Sequence, residues 1–321
     1  MKPKQKILVT GGAGFIGFYV VKALLAEGCE VVVVDNLNPY YDPSLKRARL
    51  KEFRKNITFY RIDIANEQAL DRVFARHHFD AVCHLAAQAG VRYSLTHPLI
   101  YGRSNYQGTL AVLECARRHG VKHVVFASSS SVYGETGKMP FEETDPCEKP
   151  VSIYAASKRA GELLCQTYAN LFGMDVTALR FFTVYGPWGR PDLAFFSFTE
   201  KILAGQPIEL YNNGNMRRDF TYIDDIVSGF MLALKKRQKG YEVFNIGRGA
   251  PEELKSFVST LENAIGMKAS VIMKPMQPGD VRETYASIEK AKLVLGFEPT
   301  VSIREGIPQF VAWYRDYFHK T

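Results

Sequence analysis

"GGAGFIG", residues 11–17, decides the fold. It follows the apolar run "KILVT" (6–10) without a spacer and leads into "FYVVKALLAEG" (18–28), which has helical spacing and a glycine stop. In such a turn Gly11 permits the tight bend, Gly14 lets a pyrophosphate approach the backbone, and Gly17 lets helix and strand pack closely. The helix N-terminus then faces the phosphates. An ordinary βα turn could carry the same glycines. Asp35 separates the two readings, because it closes the next strand, "EVVVVD" (30–35), about 20 residues on, where a carboxylate accepts both ribose hydroxyls.

That carboxylate would repel a 2′-phosphate, and "NLNPYYD" (36–42) holds no arginine to neutralise one, so the expected cofactor is NAD rather than NADP. Asp63, in "RIDI" (61–64), either bonds the adenine amine or caps a strand end.

Further along the chain, "ITFYRID", "DAVCHLA", "HVVFASS" and "VTALRFFT" read as further strands. Their near-continuous hydrophobicity fits parallel strands buried on both faces. With helical stretches such as "GTLAVLECARRHG" (108–120) between them, the chain is expected to form a Rossmann-type doubly wound α/β sheet with a smaller α/β substrate-binding lobe. The helix after "YIDD" (224–236) and the strand "YEVFNIG" (241–247) look like the main sheet returning. The expected division is therefore 1–183 plus 222–248 for the dinucleotide half and 184–221 plus 249–321 for the smaller lobe. Clefts tend to lie where such lobes meet.

Composition excludes more than it assigns. The first residues are basic, but glycines follow "ILV" (7–9) too soon for a signal-peptide core or a membrane span, so a cytoplasmic protein is expected, with no membrane partner. Five scattered cysteines without a Cys-x-x-Cys suit reduced thiols. No metal is expected, since His119 and His123 straddle a helix end and the next strand. The formal charge of +8 is compatible with small anionic ligands, and no nucleic-acid partner is expected because the run "KKRQKG" (235–240) reads as a solvated helix end.

"YAASK" (154–158) puts a phenol and an ammonium one helical turn apart on one face. At ~4 Å and an effective dielectric near 20, the cation would favour a phenolate by about 4 kcal/mol, or roughly three pKa units. Tyr154 is then expected to act as a general base near neutral pH. "SSSSVYG" (128–134) ends the fifth strand, where ligands bind in open α/β sheets and a hydroxyl can meet a reacting oxygen.

These elements together resemble the short-chain dehydrogenase/reductase superfamily, in its extended branch that modifies sugar nucleotides, over essentially the whole chain. The resemblance implies Tyr154, Lys158 and Ser129 as the catalytic set, Lys158 also holding the nicotinamide ribose. It puts Gly11, Gly14, Phe15, Ile16, Gly17, Asp35, Asn36, Asp63, Ile64, Leu85, Ala86, Ala87 and Asn105 on the cofactor, together with Tyr154 and Lys158.

Within that branch, "FFTVYGPWGRPDLA" (181–194) and "GNMRRDFTYIDDIV" (214–227) look most like the UDP-glucuronate 4-epimerases, in which the arginine of the first segment grips the sugar's C5 carboxylate. By this likeness Arg190, Gln88, Arg92, Ser130, Thr183, Tyr211, Arg218 and Asp280 contact a UDP-hexuronic acid, Arg218 rather than Arg282 facing the diphosphate. Guanidinium forks match carboxylates two bonds at a time. The related 4,6-dehydratases carry Asp-Glu where Ser130 and Ser131 stand here, and the decarboxylases usually follow Tyr-Gly-Pro with Arg-Met where this chain has Trp188-Gly189-Arg190. Neutral-sugar epimerases typically lack the arginine. Two departures from the pattern are Tyr19, where histidine is common, and Leu193, where methionine is usual. The resemblance implies a homodimer through the Tyr154 helix and the helix spanning about 100–118.

Overall fold

The computed structural model describes residues 4–135, 138–276 and 281–319. Seven parallel strands form the central sheet. In chain order these are β1 (Lys6–Thr10), β2 (Glu30–Asp35), β3 (Ile57–Arg61), β4 (Ala81–His84), β5 (His123–Ser129), β6 (Asp175–Phe181) and the edge strand Tyr241–Ile246. Across the sheet the order is β3-β2-β1-β4-β5-β6 and then Tyr241–Ile246, so winding reverses between β1 and β4. That reversal opens a crevice at the carboxyl ends of those two strands.

Strand periodicity explains why the sheet is buried on both faces. Ile7, Val9, Val31 and Val33 point into one core, while Leu8, Val32 and Val34 point into the other. Helices Phe15–Ala26 and Ile223–Lys235 pack together on the first face, and Glu67–Arg76, Gly108–Arg118 and Ile153–Phe172 line up along the second. The inner strands β1, β2, β4 and β5 therefore read as near-continuous apolar runs rather than alternating ones, whereas the edge strand β3, ITFYR, is only partly buried.

"VTALRFFT" does not form one strand. β6 ends at Phe181, Phe182 turns into a satellite core with Tyr133 and Phe141, and Thr183–Tyr185 pairs in parallel with Phe220–Tyr222 outside the main sheet. The run changes sheets because Thr183 donates its amide to Asp219 O (3.0 Å), which draws the chain toward the smaller lobe.

That lobe contains helices Ala194–Leu203, Leu254–Ile265 and Ile303–His319 with short two- and three-stranded ribbons. The first core runs without a break through Tyr185, Phe195, Phe220, Phe257 and Phe310, so lobe and sheet share one apolar interior. Among the described residues no helix is long and apolar enough to cross a membrane.

Candidate active site

β1 ends at Thr10 and Gly11 takes φ 73°, a left-handed turn that L side chains rarely adopt. A Cβ on Gly17 would stand 2.1 Å from Gly11 O, so the close helix–strand approach needs glycine there. The helix Phe15–Ala26 has no side-chain cap on its first turn. Its leading amides thus open into the cleft as an anion site, and the bare backbone of Gly11 and Gly14 leaves room for a diphosphate. The residues present fit a dinucleotide.

Asp35 is buried at the end of β2. Its Oδ2 accepts from Ala13 N (3.1 Å) and its Oδ1 from Leu37 N (2.8 Å), which orients the carboxylate while lone pairs remain for a ribose. Asp63 caps Ala65 N (3.0 Å) and pairs with Arg103 (3.2 Å). Asn36, Ile64, Leu85, Ala86 and Ala87 line the same wall. Beneath it His84 bridges the hydroxyls of Thr10 (2.7 Å) and Thr109 (3.0 Å). Burial pulls its pKa down to about 3, so it is a neutral strut rather than a proton carrier.

Asn105 departs from the expected cofactor contact. It is buried and lies outside the cleft lining, its amide bonded to Gln88 O (3.0 Å) and Ser157 Oγ (2.8 Å) while its Oδ1 accepts from Gln88 N (2.7 Å). It braces the segment beyond β4 against the Tyr154 helix.

That helix, Ile153–Phe172, begins at Ser152, whose Oγ accepts from Ala155 N (3.1 Å), and this cap fixes Tyr154 in the first turn beside the serine run. The Ser129 hydroxyl lies within hydrogen-bonding reach of the Tyr154 phenol. Behind the run, Ser128 Oγ donates to Glu162 Oε1 (2.6 Å), and Arg180 holds both Glu162 oxygens (2.8 and 2.9 Å).

The expected depression of the phenol by Lys158 is corrected by the geometry. Burial pushes the Tyr154 pKa up, while the Ser129 hydrogen bond and the Arg190 charge pull the other way. Lys158 instead donates to Ala127 O (2.8 Å) with its ammonium over the Phe126 ring, and burial draws its own pKa down to about 8.

The opposite wall is the arginine turn. Trp188 sits at φ 57° and packs away from Arg190, against Phe18, Trp313 and Tyr317. Buried Arg49 ties this turn to the glycine turn, donating to Ala13 O (3.0 Å), Tyr41 Oη (2.8 Å), Trp188 O (2.6 Å) and Gly189 O (3.2 Å). Tyr19 adds a bond to Pro187 O (3.0 Å), which gives this departure from the usual histidine a task. Arg190 reaches into the cleft, its side chain a quarter exposed, and forms a two-bond ion pair with Asp192.

The remaining expected contacts fall along the same cleft, about 620 Å³ in volume: Gln88, Arg92, Ser130, Thr183, Tyr211 and Arg218 all line it. The Arg92 guanidinium covers the Tyr211 ring at 4.5 Å. Arg218 is held by the carbonyls of Val281 (2.6 Å) and Arg282 (3.0 Å), whereas the Arg282 side chain is exposed and outside the lining. Asp280 lies outside the described residues. Sequence reading missed Lys46, Arg49, Tyr40 and Asp192. Only Asp192 carried a local signal, its place two residues after the arginine.

Fold and cleft together define a dinucleotide-binding α/β enzyme. Residues 7–247 match the model of the NAD dependent epimerase/dehydratase family, and the chain belongs to that family. A UDP-glucuronate 4-epimerase of Thermodesulfobacterium geofontis is 46% identical over 312 residues, covering 96% of each chain. The crystal structure of UDP-glucuronic acid 4-epimerase from Bacillus cereus, with UDP-glucuronic acid and NAD, is 34% identical with a TM-score of 0.92, covering 98% of this chain and 100% of that one. A UDP-glucose 4-epimerase from Thermotoga maritima, solved with UDP-glucose, is nearly as similar: 35% identical, TM-score 0.90, covering 98% and 100%.

Proposed function

We propose that this protein is an NAD-dependent UDP-glucuronate 4-epimerase, interconverting UDP-glucuronate and UDP-galacturonate through a 4-keto sugar. Overall shape does not decide between acidic and neutral sugars, because epimerases of both kinds superpose on the chain about equally well. The observation that carries the reading is the Arg190 guanidinium, set in the cleft close enough for its charge to act on the Tyr154 phenol. A cation there meets an acid on C5 when C4 faces the phenol.

A bound NAD would supply a reversible hydride acceptor at C4, so that each turnover would be redox-neutral. Tyr154, as a phenolate favoured against burial by the Ser129 hydrogen bond and the Arg190 charge, takes the C4 hydroxyl proton, with Ser129 bridging phenol and sugar oxygen. Lys158 holds the nicotinamide ribose. After the keto sugar turns over, the opposite face of C4 would meet the returning hydride, and Tyr154 gives the proton back to the C4 oxygen. In this reading residues 1–183 with 222–248 hold the cofactor, and 184–221 with 249–321 hold the sugar nucleotide. Asp280, which the resemblance assigns to the substrate's ribose, lies outside the described residues.

We also read the protein as a cytoplasmic homodimer. The five cysteines are free thiols. Leu99, Tyr106, Leu163 and Leu171 expose apolar side chains on the Tyr154 helix and the segment packed beside it, a face suited to a second copy.

Incubation with UDP-glucuronate and no added cofactor, followed by proton NMR of the C4 region, tests the function. The expected product has an axial C4 hydroxyl and an intact C6. A pentose product would make the enzyme a decarboxylase, and turnover of UDP-glucose alone would make it a neutral-sugar epimerase.

A further inference from the structure

Arg190 is not a bare cation waiting for an acid. Its Nε donates to Asp192 Oδ1 (2.9 Å) and its Nη2 to Asp192 Oδ2 (2.8 Å), so the protein's own carboxylate closes one edge of the fork. Among the described residues no acceptor takes Nη1. Asp192 is itself held from across the cleft, because the Tyr40 hydroxyl donates to its Oδ2 (3.2 Å). Tyr40 is seated by its ring, which packs on Tyr93 at 4.8 Å between centroids, and its hydroxyl occupies space left by Gly90, where a Cβ would approach to 2.4 Å. The chain Tyr40–Asp192–Arg190 therefore links the loop after Asp35 to the group that reads the sugar acid. Both charged side chains of the pair remain about a quarter exposed, at 25% and 23%, so a ligand can reach them without breaking the pair.

We propose that Asp192 is a positioning residue for carboxylate retention, holding Arg190 by its Nε–Nη2 edge so that the Nη1 end meets the substrate's C5 carboxylate. The inference rests on the uronate reading above. A 4-keto uronate is a β-keto acid, and it loses carbon dioxide when the C5–C6 bond aligns with the C4 carbonyl π system. In that loss the C5–C6 electron pair becomes a C4–C5 enolate, and a proton from water adds at C5. The C4 ketone would then recover its hydride from the reduced cofactor and its proton from Tyr154, so a UDP-pentose and carbon dioxide form with no outside oxidant or reductant. A guanidinium held at two points cannot follow the carboxylate into alignment, whereas one free to rotate about its last torsions can. The pair is also neutral overall, so the acid is selected by the geometry of one free edge rather than by net charge.

Asp192→Asn keeps the size and removes the charge. Its expected signature with UDP-glucuronate is a kcat lower by roughly ten- to a hundredfold, a KM that does not rise, and a pentose product absent from the wild type. Tyr40→Phe, which removes one hydroxyl, is expected to move both readouts in the same direction by a few-fold. A KM that rises with kcat and product identity unchanged would overturn the proposal, as would wild-type behaviour of both variants. Melting temperature and bound cofactor report folding, and if Asp192→Asn does not fold, pentose formation by Tyr40→Phe decides alone. Failure of the wild type to epimerise UDP-glucuronate would instead sink the underlying function.

Discussion

Two cations flank Tyr154, and the walls that carry them are built on opposite plans. On the sheet side Lys158 is buried without a carboxylate partner among the described residues, bonded to a single carbonyl, and its charged form is disfavoured by burial. On the arginine-turn side Arg190 is paired through two bonds with Asp192, and its charge is reinforced. The sheet wall offers unmet groups, open helix amides and a destabilised ammonium, which a bound dinucleotide can satisfy. The opposite wall arrives with its charges already matched and offers a shaped edge. Cofactor binding here completes the protein, whereas substrate recognition tests a ligand against a finished surface.

Tyr154→Phe sits at the seam and gives the largest expected effect. Removing the proton-transferring hydroxyl is expected to lower kcat by roughly 10²–10⁴-fold while bound cofactor and melting temperature stay near wild type. Unchanged turnover of every UDP-sugar tried would place the chemistry elsewhere and leave the two walls without a common centre.

Arg190→Ala strikes one wall alone. Losing a charge-assisted bond to the substrate costs about 1.5–3 kcal/mol, roughly ten- to a hundredfold in kcat/KM, and some pentose is expected among the products. Arg190→Lys is expected to rescue little, since an ammonium lacks the planar fork. An unchanged rate with no pentose would show that the arginine wall does not read the acid.

The same contrast governs what could be read from the sequence. The sheet wall was legible because its parts are short βα turns in which spacing fixes geometry: residues 11–17 with Asp35, and Tyr154 with Lys158. The arginine wall was legible only as a segment. That Arg190 would face Tyr154 depends on the chain leaving β6 at Phe182, and that Arg49 would reach the Trp188 carbonyl across 139 positions has no local signal. Charge placement was least legible. A four-residue spacing puts a lysine and a tyrosine on one face, yet says nothing of the Ala127 carbonyl that accepts the lysine's hydrogen bond or of the burial that raises the pKa of the phenol.

The smallest expected effect concerns stability, and it measures the sheet wall directly. Lys158 has its pKa drawn from 10.5 in an open chain to about 8 in the fold. Below about 8 both states hold the proton, and the fold bears the full penalty of a buried ammonium. Between about 8 and 10.5 the unfolded chain keeps a proton the folded chain has lost, so stability rises with pH by up to about 3 kcal/mol from this group. Lys158→Met lacks the titration. The melting temperature of the wild type is therefore expected to climb relative to the variant by several degrees from pH 7.5 to 10, with the variant no less stable at pH 7. Parallel curves across that range would mean that the ammonium is not suppressed. The two walls would then differ in their partners alone and not in the free energy of their charges.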